Sequence, residues 1–286
     1  MSIEKIALLT YKDGVDLADG ESLLPPAFKK VGIEAIATPW DGNINWDEYS
    51  TIILRACWNY HLDKAKFIQW LENQSNLGLK IWNPVEIVKW STDKHYLLDL
   101  EKNGIPIIPT VILESEDTMN LKEILTKDGW ESGVVKPVVG ASAFKVERFN
   151  IENASEIESK LDRKNSWIVQ KFCPEIKSKG EYSFMFFDRK YSHSVMKKPK
   201  DGDFRTQPYF GGSEWTIYPD STLIDQASAV LNKVKGALLY ARVDGVLING
   251  IFHLMELELV EPYLFFERDL QSAERFVDAY KNLTRS

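Results

Sequence analysis

Cysteine is nearly missing from this chain. Cys57 and Cys173 are the only two in 286 residues and lie far apart, so a disulfide framework is not expected and a reducing compartment fits. No apolar run approaches the roughly 18 residues that a membrane helix needs. Met1-Ser2-Ile3-Glu4-Lys5 also lacks the basic and then apolar order of a secretion signal, so the expected location is the cytoplasm, with no membrane partner. Histidine is scarce too: His61, His95, His193 and His253 show no spacing suited to zinc. Lys and Arg number 35 against 42 Asp and Glu, and the net charge of −7 argues against a general nucleic-acid binder. Neither Gly-x-x-x-x-Gly-Lys-Ser/Thr nor Gly-x-Gly-x-x-Gly occurs, which disfavours a P-loop NTPase and a Rossmann enzyme. Internal repeats and low-complexity tracts are absent as well.

What is present is a core-forming pattern, 44% of it apolar. Ile6 to Thr10, Ile33 to Ala37 and Thr51 to Leu54 read as strands, with Leu23, Leu24, Ala27, Phe28 and Val31 at helical spacing between the first two. Residues 1–90 are therefore expected to form a parallel α/β lobe. Beyond Asn83-Pro84, Ser91-Thr92-Asp93 offers helix caps, and Gly104 with Pro106 and Pro109 ends the segment. Val111 to Leu113, Gly133 to Lys136, Trp167 to Phe172, Tyr182 to Phe187 and Tyr191 to Met196 suggest antiparallel sheet, divided between a small subdomain, 91–170, and a C-terminal one, 171–286. Leu223, Ile224, Ala227, Val230, Leu231, Val234 and Leu238 trace one helix face, and Leu270 to Leu283 a closing helix.

Near the C-terminal end, Asn249-Gly250 separates Val243-Asp244-Gly245 from Met255-Glu256-Leu257-Glu258, a strong hairpin signal. A clean two-residue turn would set Asp244 opposite Met255 and put Asp244 and Glu256 on opposite faces. A three-residue loop, Ile248-Asn249-Gly250, is expected instead. It pairs Arg242 with Glu256 and Asp244 with Leu254, leaving Val243, Leu247, Met255, Leu257 and Leu259 on the apolar face. Asp244, Glu256 and Glu258 on one face would repel without a cation, and magnesium completed by phosphate oxygens suits them. The alternative is a solvated face with Arg242 as counter-ion. Lys136 ends the run Gly133-Val134-Val135, where it would either enter a cleft or snorkel. Val139-Gly140-Ala141-Ser142-Ala143 follows, small enough for backbone amides to approach phosphate.

Lys198-Pro199-Lys200-Asp201-Gly202-Asp203-Phe204-Arg205-Thr206, with Gly211-Gly212 soon after, turns these hints into a resemblance. Residues 90 to 262 resemble an ATP-grasp ligase of the glutathione synthetase and ribosomal-protein glutamate ligase branch. Lys94, Lys136, Gln170-Lys171-Phe172, Gly180-Glu181, Arg205, Asp244, Glu256 and Glu258 arrive in the order and approximate spacing of that family. The resemblance implies an α/β ATP-grasp fold whose two later subdomains clasp ATP. It implies that Lys94, Lys136, Gly140 and Ser142 touch phosphates, that Gln170, Lys171 and Phe172 form the hinge beside adenine, and that Glu181 holds the ribose. Asp244, Glu256 and Glu258 would bind Mg2+, with Mn2+ as the alternative. Arg205, assisted by Lys198, would stabilise the transferring phosphoryl group. The implied reaction joins a small-molecule carboxylate to an amine through an acyl phosphate, releasing ADP and phosphate, and a homodimer is expected from the same resemblance. No covalent enzyme intermediate is required, so the two cysteines are read as buried structural thiols.

Three positions depart from that pattern. Glu258 stands where the family has asparagine, Lys171 where an acidic hinge residue is common, and Leu259-Val260-Glu261-Pro262 lacks the Asn-Pro step. Such substitutions are similar to those in ligases of amino-acid-derived antibiotic pathways, cycloserine-type enzymes among them. At the carboxyl end of the Ile52 to Leu54 strand, Arg55 could clamp a substrate carboxylate while Trp58 and Tyr60 wall the pocket. Sealing the contact between lobes is the equal alternative for all three. A nucleotide-binding module without turnover and a small-molecule kinase are the competing functions.

Overall fold

The computed structural model describes residues 3–14, 17–141 and 144–285. Four parallel strands come first: β1 (Glu4–Thr10), β2 (Ile33–Pro39), β3 (Thr51–Leu54) and β4 (Lys80–Trp82), ordered β2-β1-β3-β4. Ile6 to Leu9 and Ile52 to Leu54 are fully buried, because helices cover both faces of a parallel sheet and leave no polar side. The helix Lys64–Asn76 is capped by Asp63, whose carboxylate accepts the Lys66 amide at 3.1 Å. β4 has three residues, too few to show a period, and the sequence reading passed over it.

A second sheet, antiparallel and ordered β5-β8-β6-β7, contains β5 (Thr110–Leu113), β6 (Ser132–Pro137), β7 (Glu147–Asn150) and β8 (Trp167–Lys171). The third, β11-β10-β9-β12-β13, contains β9 (Glu181–Phe187), β10 (Lys190–Lys198), β11 (Ser213–Ile217), β12 (Tyr240–Ile248) and β13 (Ile251–Glu258). The helix Ser221–Leu231 covers one face of it, with Asp220 accepting the Leu223 amide at 2.9 Å. That helix stops sooner than its apolar spacing suggested; Val234 and Leu238 remain buried in the turns around Gly236.

Two bulges decide which side chains face the cleft. The β12–β13 turn is Asn249-Gly250 alone, both at positive φ, with Ile248 paired to Ile251. The expected three-residue loop is therefore corrected. An extra residue, Met255, sits between the pairs Asp244–Glu256 and Gly245–Leu254, and Arg242 pairs with Glu258. The bulge brings the carboxylates to one face by another route, and it moves Met255 off the expected apolar face to pack with Val246 and Ile248. Gly245 permits this geometry, since a Cβ there would lie 2.4 Å from the His253 carbonyl oxygen. In the β9–β10 hairpin the register shifts between Tyr191 and His193, which sets Lys197 opposite Glu181.

The first and third sheets share a core. Ile6, Leu8, Phe28 and Trp82 pack with Met185, Phe187, Tyr240 and Phe276, the last from the helix Ser272–Arg285. Arg55 locks this junction. It is fully buried, binds Glu21 through Nε at 3.0 Å and through Nη2, reaches the Pro262 carbonyl oxygen, and stacks over Tyr240 at 4.8 Å. Arg55→Ala strands the Glu21 carboxylate in the interior, so urea denaturation should show a loss of about 3–5 kcal/mol.

His193 adds a pH dependence. Burial pushes its imidazole down to about 4, and Nε2 donates to the Leu264 carbonyl oxygen at 2.9 Å. The unfolded chain takes a proton below about pH 6.5 while the folded chain does not, so this contribution is complete above that pH and lost as pH falls toward 4. Melting followed from pH 7 to pH 4 should show roughly 3 kcal/mol of loss that a His193→Gln variant lacks.

Candidate active site

A cleft of about 320 Å³ is lined by the second and third sheets and by loops of the parallel lobe. The second sheet contributes Lys136 from β6 and Gln170 and Lys171 from β8, with Phe172 beyond the strand end. Gln170 is buried and donates to the Thr110 hydroxyl at 3.3 Å; Phe172 is buried and Lys171 exposed. From the parallel lobe, the turn Trp58–Leu62 supplies Trp58 and Tyr60.

Opposite charges organise the floor. Lys94 Nζ donates to the Gly140 carbonyl oxygen at 2.9 Å and lies 3.2 Å from Glu256 Oε1, while Lys136 Nζ lies 3.3 Å from Glu256 Oε2. Burial would raise the Glu256 carboxyl, but Lys136 and Lys94 outweigh it and hold the group below the usual range. Arg242 grips Asp244 through Nε at 3.0 Å and Nη2 at 2.9 Å, and reaches Glu258 with Nη2. Lys197 is buried 2.7 Å from Glu181 and 3.4 Å from Asp244. Thr206 donates to the other Glu181 oxygen at 2.8 Å.

Arg205 stands at the cleft in the loop between β10 and β11. Asp203 receives it at 3.2 and 2.9 Å, and the Phe210 ring lies 3.7 Å beneath the guanidinium. That pairing holds the Asp203 carboxyl well below its usual range. Gly212 lets this loop fold on itself: a Cβ there would meet the Thr206 carbonyl oxygen at 2.1 Å.

Several expected site residues stand elsewhere. Lys198 is not on the cleft; its amine approaches the Ser178 carbonyl oxygen at 3.4 Å. A regular hairpin would have put Lys198 on the Glu181 face, and the extra residue at Ser192 substitutes Lys197. Arg55 is spent on Glu21 and Pro262, so it seals the junction between lobes and does not meet the cleft. Asp244 turns to Arg242, Lys197 and Ser183, whose hydroxyl donates at 2.5 Å. Among the described residues no three carboxylate, imidazole or thiolate groups converge as a metal site, so the three-carboxylate set is not assembled in this structure. Ser142 lies outside the described residues.

Glu256 and Glu258 do fit a hard cation. Burial, with Glu256 and Asp244 nearby, pushes the Glu258 carboxyl up despite Arg242, and a divalent ion would relieve that repulsion. Both cysteines are uncombined and buried. Burial pushes Cys173 up to about 11 and Cys57 well above its ordinary value, which suits packing and not nucleophilic attack. Lys197, Glu261 and Tyr263 also line or support the site and were missed. Only the Ser192 bulge could have singled out Lys197.

Residues 6–83 match a family described as the N-terminal domain of D-cycloserine synthetase DcsG. The chain is 28% identical to the cycloserine biosynthesis protein DcsG of Streptomyces lavendulae over 278 residues, 90% of this chain and 92% of that one. Its structure superposes on the crystal structure of D-cycloserine synthetase DcsG with TM-score 0.87 and 26% identity, covering 97% of this chain and 99% of that one. The chain has the ATP-grasp ligase fold. A D-alanine–D-alanine ligase from Bacillus anthracis shares this ATP-grasp fold at TM-score 0.70 and 17% identity, with 98% and 96% coverage. The chain is thus a homologue of a cycloserine biosynthesis protein, and no described helix is long and apolar enough to cross a membrane.

The bulge makes the two adjacent lysines separable by experiment. Lys198→Ala should bind ATP within about twofold of the parent, as an exposed amine does. Lys197→Ala should bind it at least roughly tenfold more weakly, by titration calorimetry on protein checked for folding.

Proposed function

We propose that this ATP-grasp protein activates the carboxylate of an amino acid or small peptide as an acyl phosphate and transfers the acyl group to an amine. The observation that carries this reading is the convergence of Lys94, Lys136, Arg205 and the Glu256–Glu258 pair on one cleft of a ligase fold. Likeness to a cycloserine biosynthesis protein supports an amino-acid-derived substrate. The uncombined thiols support the cytoplasm as its location.

Lys94 and Lys136 bind phosphate oxygens in exchange for Glu256, with Lys197 on the third sheet held by Glu181 and Asp244. Gln170, Lys171 and Phe172 flank the base, and Glu181 the ribose. Glu256 and Glu258 would hold magnesium, which supplies charge neutralisation when bound. Arg205, kept in place by Asp203 and Phe210, stabilises negative charge as the substrate carboxylate oxygen bonds to the γ-phosphorus and the bond to ADP breaks. The amine then attacks the acyl carbon, phosphate leaves, and the amine loses a proton. Arg242, anchored by Asp244, borders the same space with its charge fixed.

ADP release would be measured with magnesium ATP against amino acids and dipeptides, with hydroxylamine added to intercept the acyl phosphate. Acid-dependent release with hydroxamate is the expected result. Arg205→Ala should lower turnover by about 100-fold or more with ATP binding retained. ATP bound and never consumed would support a binding module, and a phosphorylated product without an amide would support a kinase.

A further inference from the structure

The ligase reading leaves Glu261 without a task. The residue borders the cleft beside Trp58 and Tyr60, yet is only 7% exposed. The other cleft carboxylates all hold cations: Glu256 has Lys94 and Lys136, Glu258 has Arg242, and Glu181 has Lys197. Among the described residues no other side chain donates to the Glu261 carboxyl or pairs with it, and its own backbone amide is the donor it has. The nearby cations are engaged, Lys94 with Glu256 and the Gly140 carbonyl oxygen, Arg55 with Glu21 and the Pro262 carbonyl oxygen. The backbone that carries Glu261 is pinned. Trp58 Nε1 donates to its carbonyl oxygen at 3.2 Å, and the next carbonyl, that of Pro262, receives Arg55. A buried carboxyl that borders a cavity with only its own backbone amide for a donor is costly unless a ligand completes it. Burial and the charge of Glu258 push this carboxyl well above its usual range, a penalty that an arriving cation removes.

We propose that Glu261 receives the ammonium group of an α-amino acid whose carboxylate is activated in this cleft. The proposal deepens the ligase reading and rests on it. The ammonium must be a spectator, because an amine paired with a carboxylate keeps its proton and cannot attack the acyl carbon. Trp58 and Tyr60 stand beside the same space, and aromatic walls accommodate an ammonium as well as an alkyl chain. The specificity that follows is for a free amino group next to the reacting carboxylate. A 2-hydroxy acid of the same shape would leave Glu261 unpaired.

The test compares binding of alanine with lactate and of serine with glycerate, in both enantiomers, to the full chain with magnesium ADP by titration calorimetry. In the wild type at least one amino acid should bind roughly 10–100-fold more tightly than its hydroxy counterpart. Glu261→Gln should erase that preference while retaining the melting temperature and the affinity for magnesium ADP, and Glu261→Asp should restore part of it. In turnover, Glu261→Gln should raise KM for the amino acid and leave kcat nearly unchanged. Equal affinity within each wild-type pair, absence of binding included, overturns the proposal, as does a Glu261→Gln variant that keeps the preference. A raised magnesium requirement, or a fall in kcat at constant KM, also overturns it and gives Glu261 to the metal or to base catalysis. Ammonium preference in a wild type that yields no hydroxamate would fault the ligase reading alone.

Discussion

A cleft lined by Lys94, Lys136, Arg205 and Arg242, with Lys197 buried against its Glu181, persists because carboxylates are interleaved with every one of them. Removing either sign would leave charge in a partly dry space, where an unpaired ion costs far more than a surface one. The pairs differ in permanence. Arg242 with Asp244 is buried and multiply bonded, whereas Lys94 and Lys136 meet Glu256 at longer range near the opening. A triphosphate offers those two lysines the same charge that Glu256 gives them. The deep pair therefore preserves the shape of the floor while the outer pair exchanges partners.

The floor is also tied to the parallel lobe. The Asn83 side chain donates to the Tyr240 and Leu259 carbonyl oxygens and accepts the Leu239 amide. The Tyr240 hydroxyl lies within hydrogen-bonding distance of carbonyl oxygens of Leu54, Trp82 and Val260. The segment after β13 is thus held from the side of the first sheet, and Glu261 and Pro262 belong to that segment. Arg55, for which the sequence left a substrate clamp and a seal between lobes equally open, takes the second role and contributes to the same junction.

Strand and helix types were legible wherever an apolar period ran for four residues or more, and the order of lysines, arginine and carboxylates was enough to indicate an ATP-grasp fold. Short edge strands were not: β4, β7 and β11 carry three to five residues with mixed burial. Register was the deeper loss. One extra residue at Ser192 and one at Met255 each reverse the face of everything that follows: the first sets Lys197 opposite Glu181 where motif order had pointed to Lys198, and the second accompanies a β12–β13 loop one residue shorter than expected. A bulge is a property of paired strands, and neither strand announces it alone. The same holds for Arg55, because the carboxylate that claims it lies 34 positions earlier.

The helix Ser272–Arg285 places Phe276 and Tyr280 against Phe28, within a core that also holds Ile6 and Leu8. During synthesis the parallel strands emerge long before the helix that supplies part of the apolar surface covering them. The early lobe must wait on the ribosome with that side uncovered, exposed to the pairing and aggregation that incomplete cores invite. Assembly of the parallel lobe therefore depends on a segment far downstream, and chaperone demand should be set by the time between its strands and the helix Ser272–Arg285.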